Sequence, residues 1–219
     1  MVKIERSYPA PASLAIESQK KNGKYNGEDV IRQLVHDFHD KCYICEMKPV
    51  TDVQVEHLLP HRGGEYRDRR FDWDNLFLSC PHCNQVKNKT KYDAGIIDCC
   101  KEDPEEFLLF RLENDSVVVR ALSEHDGKAQ RTADLVEETF HCMNTGSLTH
   151  DSEVRLQDLQ KEMNVLYTWL GRYKNDKNGR AKRTLKGLLS RESAYAGFKR
   201  SYIRLHKKEY PELDAMISA

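Results

Sequence analysis

The chain has 219 residues, 39% of them hydrophobic and 32% charged, with 35 basic side chains balanced by 35 acidic ones. That is enough chain for one good-sized domain or two small ones with a real hydrophobic core. No apolar run approaches the roughly 18 residues of a membrane span and no signal-peptide pattern opens the chain, so the expectation is a soluble, cytoplasmic protein.

The first 25 residues, with Pro9, Pro11 and the run SQKKNGKYNG, read as an irregular arm. In NGEDVIRQLVHDFHDKC the apolar residues Val30, Ile31, Leu34, Val35 and Phe38 fall on one helical face, with Glu28 and Asp29 in the first turn. VTDVQVEHLL is rich in β-branched residues and predicts a strand over about 52–58, ended by Pro60, Gly63 and Gly64. RDRRFDWDNLFLSC predicts a short strand or turn, and PHCNQVKNKTK a helix with Pro81 at its first position. Further on, PEEFLLFRL reads as a short helix or turn, SVVVRAL as a strand and KAQRTADLVEETFHCM as a helix. Val154, Leu156, Leu159, Met163, Leu166, Tyr167 and Leu170 then mark one long amphipathic helix from Asp151 to about Tyr173. Two more helices follow, broken near Ser190 and stopped by Pro211.

Balanced total charge would argue against a polyanionic partner, but the charges are segregated. Residues 98–161 hold 15 acidic against 7 basic side chains, whereas 172–208 hold 13 basic against 2 acidic. Such asymmetry points to a polyanion-binding surface at the basic end.

Seven cysteines without a secretory signal argue against a disulfide scaffold. Cys42-x-x-Cys45 and Cys80-x-x-Cys83 are the paired knuckles of a tetrahedral zinc site, because each turn aims two thiolates at one point. Cys99, Cys100 and Cys142 read as small packed hydrophobes, and His82 as a residue that four cysteines leave without a metal role.

Between the knuckles lie 34 residues, enough for a working insert, and within them sits Glu56-His57. A lone Glu-His step on a strand is more often a core histidine beside an exposed acid. Here Asn75 follows in WDNL, Asn84 comes directly after Cys83, and Lys87 lies three residues later on the same helical face. Phosphodiester hydrolysis needs a base to accept a proton from water and a cation to offset charge on phosphate. A neutral histidine suits the first task, and oxygen ligands for Mg²⁺ or Mn²⁺ suit the second. Neighbouring strand residues point to opposite faces, so the strand is expected to be irregular at Glu56-His57 if both serve one site.

Together EHLLP, WDNLFLSC and CPHCNQVKNK, over about residues 42–90, resemble the HNH nuclease superfamily in its H-N-N variant. The resemblance implies a mainly α chain with a small ββα-metal core stapled by a four-cysteine zinc site, and a helical C-terminal half. Its three regions would be an arm at 1–25, the nuclease core at 26–95 and a mostly helical remainder at 96–219 with the basic end. It implies Glu56 and Asn84 as ligands of a catalytic Mg²⁺ or Mn²⁺, His57 as general base and Asn75 as the residue orienting the histidine's loop. It also implies Cys42, Cys45, Cys80 and Cys83 as structural zinc ligands. His61, in the loop after the proline, is a weaker candidate for the site. Lys87, Lys89, Arg180, Lys182 and Arg183 would contact nucleic acid, DNA first and RNA such as tRNA second, with Tyr195, Phe198 or Tyr202 available for stacking. The alternative is a zinc-stabilised binding module without catalysis. The layout of arm, early core and helical half is similar to that of bacterial PtuB nucleases, HNH effectors that accompany a PtuA ATPase in Septu and retron-linked antiphage systems. That likeness implies a PtuA-like ATPase partner.

Overall fold

A computed structural model describes residues 1–141, 146–175 and 179–218, with only the backbone described for 146–148. The expectation for Cys142 lies outside these residues. α1 spans Ala12–Ser18 and α2 Glu28–Asp37. α2 buries Val30 and Leu34, and its acidic first turn faces the positive end of the helix dipole. It ends where His39 and Asp40 take positive φ, which turns the chain into the first knuckle.

β1 (Gln54–His57) and β2 (Leu76–Ser79) form an antiparallel pair with Gln54 opposite Ser79 and His57 opposite Leu76. Between them run a 3₁₀ turn at Arg62–Gly64, the short helix α3 (Arg67–Arg70) and a second 3₁₀ turn at Trp73–Asn75. α4 (Pro81–Lys87) starts on Pro81, which has no N–H to leave unsatisfied, and Cys80 Sγ accepts the Cys83 amide at its N-terminus. Strand, strand and helix thus enclose one core around Phe77, whose ring meets those of Phe38 and Tyr43.

The remainder pairs β3 (Leu108–Glu113) with β4 (Ser116–Ala121) in a tight hairpin turned by Asn114 at φ 55°. Helices α5 (Gly127–His141), α6 (Gly146–Tyr173), α7 (Arg180–Leu188), α8 (Ala196–Leu205) and α9 (Pro211–Ser218) complete it. α5 packs on both β4 and α4 and so joins this half to the zinc-knuckle core. β3 replaces most of the short helix expected in PEEFLLFRL, leaving one 3₁₀ turn at Pro104–Glu106. Pro211 opens a helix rather than stopping one, as its fixed φ allows at a first helical position.

The arm is a packed element, not an irregular one. Met1, Val2, Ile4 and Leu14 are buried, and Ile4 N–H donates to Cys99 O at 2.9 Å. The Arg6 guanidinium lies over the Trp73 and Phe77 rings and donates to the Trp73 and Leu76 carbonyls. These apolar residues have no period of their own, so only tertiary docking reveals them.

Part of the basic segment is paired internally, though among the described residues only Arg191, Arg200 and Arg204 reach the acidic segment, at Asp103 and Glu105. Arg200 Nε and Arg204 reach Glu105 at 2.8 and 2.7 Å, Arg191 pairs with Asp103, and Lys199 reaches Glu162 at 2.6 Å. Lys174 pairs with Glu209 and Lys182 with Glu212. Among the described residues, six of the thirteen basic residues of 172–208 are therefore committed to internal pairs, which narrows the polyanion surface expected there to the exposed cations of α7 and those just after α8. Tyr195 and Phe198 are core residues, 0% and 1% exposed, and have no face left for a base.

Candidate functional site

The sulfurs of Cys42, Cys45, Cys80 and Cys83 lie within 4.8 Å of one another, all buried, and could hold a metal ion. Four thiolates around one zinc stand roughly 3.8 Å apart, which falls within that spread. A second observation fits a negatively charged zinc tetrathiolate. Arg155 of α6 is 6% exposed, and its Nη2 lies 3.1 Å from Cys80 Sγ. Among the described residues no carboxylate pairs with it, so the thiolates are the anion that this buried cation has. His82 turns away, its Nε2 2.9 Å from Thr139 O.

Glu56 and His57 line one open pocket of about 560 Å³ with Tyr25, Asn84, Lys87 and Lys89. The β1–β2 ladder stays continuous through both residues, so the expected irregularity is absent. His57 is the last residue of the strand, and the chain turns away after it around the Lys87 ammonium. The Glu56 carboxylate accepts from Tyr43 Oη at 2.5 Å and Lys87 Nζ at 2.6 Å. Burial pushes its pKa above the usual carboxylate range, against the pull of Lys87 and Tyr43. Each Glu56 oxygen has one such donor and keeps a second lone pair, and the Asn84 amide lines the same pocket. A carboxylate and an amide oxygen suit a hard cation such as Mg²⁺ or Mn²⁺.

Lys87 corrects its sequence assignment as a phosphate contact. Its Nζ also donates to His57 O at 2.9 Å and Leu58 O at 3.1 Å, so all three N–H donors are used. It braces α4 against the end of β1.

His57 Nε2 lies 3.1 Å from Arg70 O. A carbonyl only accepts, so the proton sits on Nε2 and Nδ1 keeps its lone pair. Burial pushes the His57 pKa down to about 4, which leaves the ring neutral near pH 7. Asn75 staples the loop behind it: its Oδ1 takes the Leu59 amide at 2.8 Å, and its Nδ2 donates to Leu59 O and Arg69 O, each at 2.9 Å. The Tyr25 ring meets His57 edge-on at 4.5 Å, and His61 stands 4.6 Å from it. His61 Nδ1 is buried and has no hydrogen-bond partner among the described residues.

Arg180, Lys182 and Arg183 are exposed on α7 and do not line this pocket. Lys89 does, but its ammonium is paired with Glu138, which also takes Lys91 and the Tyr92 hydroxyl. Burial opposes ionisation of Glu138, yet these donors outweigh it and hold its pKa at about 2. With the folded pKa depressed, the stability this carboxylate contributes is complete above about pH 4.5 and lost as pH falls towards about 2. Glu138→Gln should therefore lower the urea midpoint at neutral pH and flatten its decline over that acid range; an unchanged pH profile would refute the clamp.

Sequence reasoning misses Tyr43, Tyr25, the Arg70 carbonyl and Arg155. Arg155 leaves a readable trace. It extends the buried row Leu159, Met163, Leu166 and Leu170 by one helical turn, so a cation stands on an apolar face. Tyr43 leaves little, being one of the two residues between the first knuckle's cysteines.

No curated protein and no solved structure matches the chain. The family model of the HNH endonuclease matches residues 42–90, which run from the first knuckle cysteine past the end of α4. Four clustered cysteines and this match together support an HNH endonuclease domain at residues 42–90.

Proposed function

We propose that the protein is a metal-dependent endonuclease that hydrolyses phosphodiester bonds of nucleic acid, with DNA favoured over RNA such as tRNA. The observation that carries this reading is a neutral, buried His57, fixed by the Arg70 carbonyl, in one polar pocket with Glu56 and Asn84. His57 is the general base: Nδ1 accepts a proton from water, whose oxygen forms the new P–O bond as the ester P–O bond breaks. The leaving oxygen takes its proton from solvent. Asn75 holds the 59–70 loop, and through it the carbonyl that fixes the His57 tautomer. Glu56 and Asn84 would hold Mg²⁺ or Mn²⁺, which supplies charge stabilisation on phosphate and leaving oxygen when bound. The four-cysteine site would hold a structural zinc.

A second reading, a zinc-stabilised nucleic-acid- or partner-binding module without catalysis, is favoured by the Lys87 ammonium that already sits on Glu56. The finer reading, a PtuB-like antiphage effector working with a PtuA-like ATPase in a bacterial cytoplasm, rests on the chain's layout.

Plasmid DNA and total tRNA incubated with protein and Mg²⁺ or Mn²⁺, with and without such an ATPase, separate these readings. Cleavage should occur with wild type and fall by roughly 10²–10⁴-fold in His57→Ala, the usual contribution of a positioned base. Cleavage untouched by His57→Ala removes the mechanism. No cleavage under any condition, with binding retained, favours the module.

A further inference from the structure

The arm reaches the His57 pocket through Tyr25, which lines it, and α3 packs on the arm just outside. Gly23 folds the arm back on α1 so tightly that a Cβ there would lie 1.9 Å from Glu17 O. Lys24 N–H closes the same turn by donating to Glu17 Oε2 at 2.9 Å. α3 then grips it: Arg70 Nη2 donates to Gly23 O at 2.8 Å, and Arg67 Nη2 to Lys20 O at 3.4 Å. Arg70 is the residue whose carbonyl fixes His57, and Tyr25, next to Lys24, touches the His57 ring. The arm's position is thus tied directly to the candidate base.

Charge distinguishes this side of the pocket. Residues 17–24 and 62–70 hold seven Lys and Arg against three Asp and Glu. Lys20 is paired with Glu17 and Arg62 with Asp93, but Lys21, Lys24 and Arg67 are exposed and form no ion pair among the described residues. The opposite side differs, since Lys89 and Lys91 are both held by Glu138. Exposed cations outside ion pairs, set beside a polar pocket, are the footprint of a phosphodiester backbone.

We propose that Lys21, Lys24 and Arg67 hold the backbone of the nucleic acid whose scissile phosphate enters the His57 pocket. This rests on the nuclease reading and identifies the arm, rather than α7, as the substrate track. Tyr25, half-buried between the cations and His57, marks where the strand enters.

The test is fluorescence anisotropy with a short labelled DNA duplex and a single-stranded RNA of equal length, without added divalent ions and across a salt series. Lys21→Ala/Lys24→Ala/Arg67→Ala should weaken binding roughly tenfold or more at low salt. It should also reduce the log K against log salt slope for the duplex by about two to three, because each lost phosphate contact removes about 0.9. Metal content should match wild type. The double variant Lys21→Ala/Lys24→Ala, which leaves the Arg67 hydrogen bond to Lys20 O in place, should keep the wild-type thermal midpoint and show about two-thirds of the slope change, which separates this effect from misfolding. Wild-type affinity and slope in the triple variant would overturn the proposal. So would loss of binding in Arg180→Ala/Lys182→Ala/Arg183→Ala alone, which would return the track to α7. If wild type binds neither probe, the nuclease reading falls and takes the track with it.

Discussion

With zinc in the four-cysteine site as proposed, Cys83→Ser should lower the metal content from about one ion per chain to near none and cost most of the cooperative fold. All four cysteines are 1% exposed or less, and they tie the loop before β1 to the start of α4. A structural zinc contributes roughly 10–16 kcal/mol in small zinc-binding folds, comparable to the whole stability of a typical domain at about 5–15 kcal/mol. No rearrangement of nearby apolar side chains replaces that. Arg155→Met separates the charge argument from the ligand argument. It keeps the four ligands and most of the side chain's volume but removes the cation that lies against Cys80 Sγ. Zinc should then transfer to a chromophoric chelator faster than from wild type, while the ligand-intact core still folds with metal present. Stoichiometric zinc held by Cys83→Ser would sink the four-ligand assignment; unchanged transfer from Arg155→Met would sink the charge-compensation role.

Locally encoded parts are legible in the sequence and parts made by docking are not. α2, β1, α4, β4, α5 and α6 follow from period, cap and composition, each a property of a short window. The knuckles follow from spacing alone, because a Cys-x-x-Cys turn fixes its own geometry. Residue type and order nominate Glu56, His57, Asn75 and Asn84, and the fold brings Glu56, His57 and Asn84 to one pocket with Asn75 bracing the loop behind it. The arm escapes such reading because Met1, Val2, Ile4 and Leu14 have no amphipathic period; they are buried by what lies over them. A charge count along the chain overstates the free charge of the basic end, because it cannot see that Glu105 collects Arg200 and Arg204 from a distant helix. Lys87 misleads in the same way, since its acceptors come from β1 and the loop after it.

That last residue gives the second large effect. Lys87→Met should destabilise the protein by about 3–5 kcal/mol, the usual cost of removing one partner from a buried ion pair. Both side chains of the Lys87–Glu56 pair are 6% exposed, and their heavy atoms are 2.6 Å apart. Without the ammonium, Glu56 keeps a single donor, the Tyr43 hydroxyl, and the His57 and Leu58 carbonyls lose theirs. Methionine nearly fills the volume, so the loss is electrostatic and not a cavity. Lys87→Arg should rescue little, because a planar guanidinium cannot aim three donors at the same three acceptors. The double variant Lys87→Met/Glu56→Gln should recover a large part of the loss, since the uncompensated carboxylate is then gone and only the two carbonyls remain unserved. Urea midpoints with unchanged slope measure all three variants. If Lys87 instead served phosphate, Lys87→Met would leave the midpoint in place and lower the salt slope of nucleic-acid binding by about one. The two outcomes are opposite in both readouts, so one pair of titrations decides between brace and ligand.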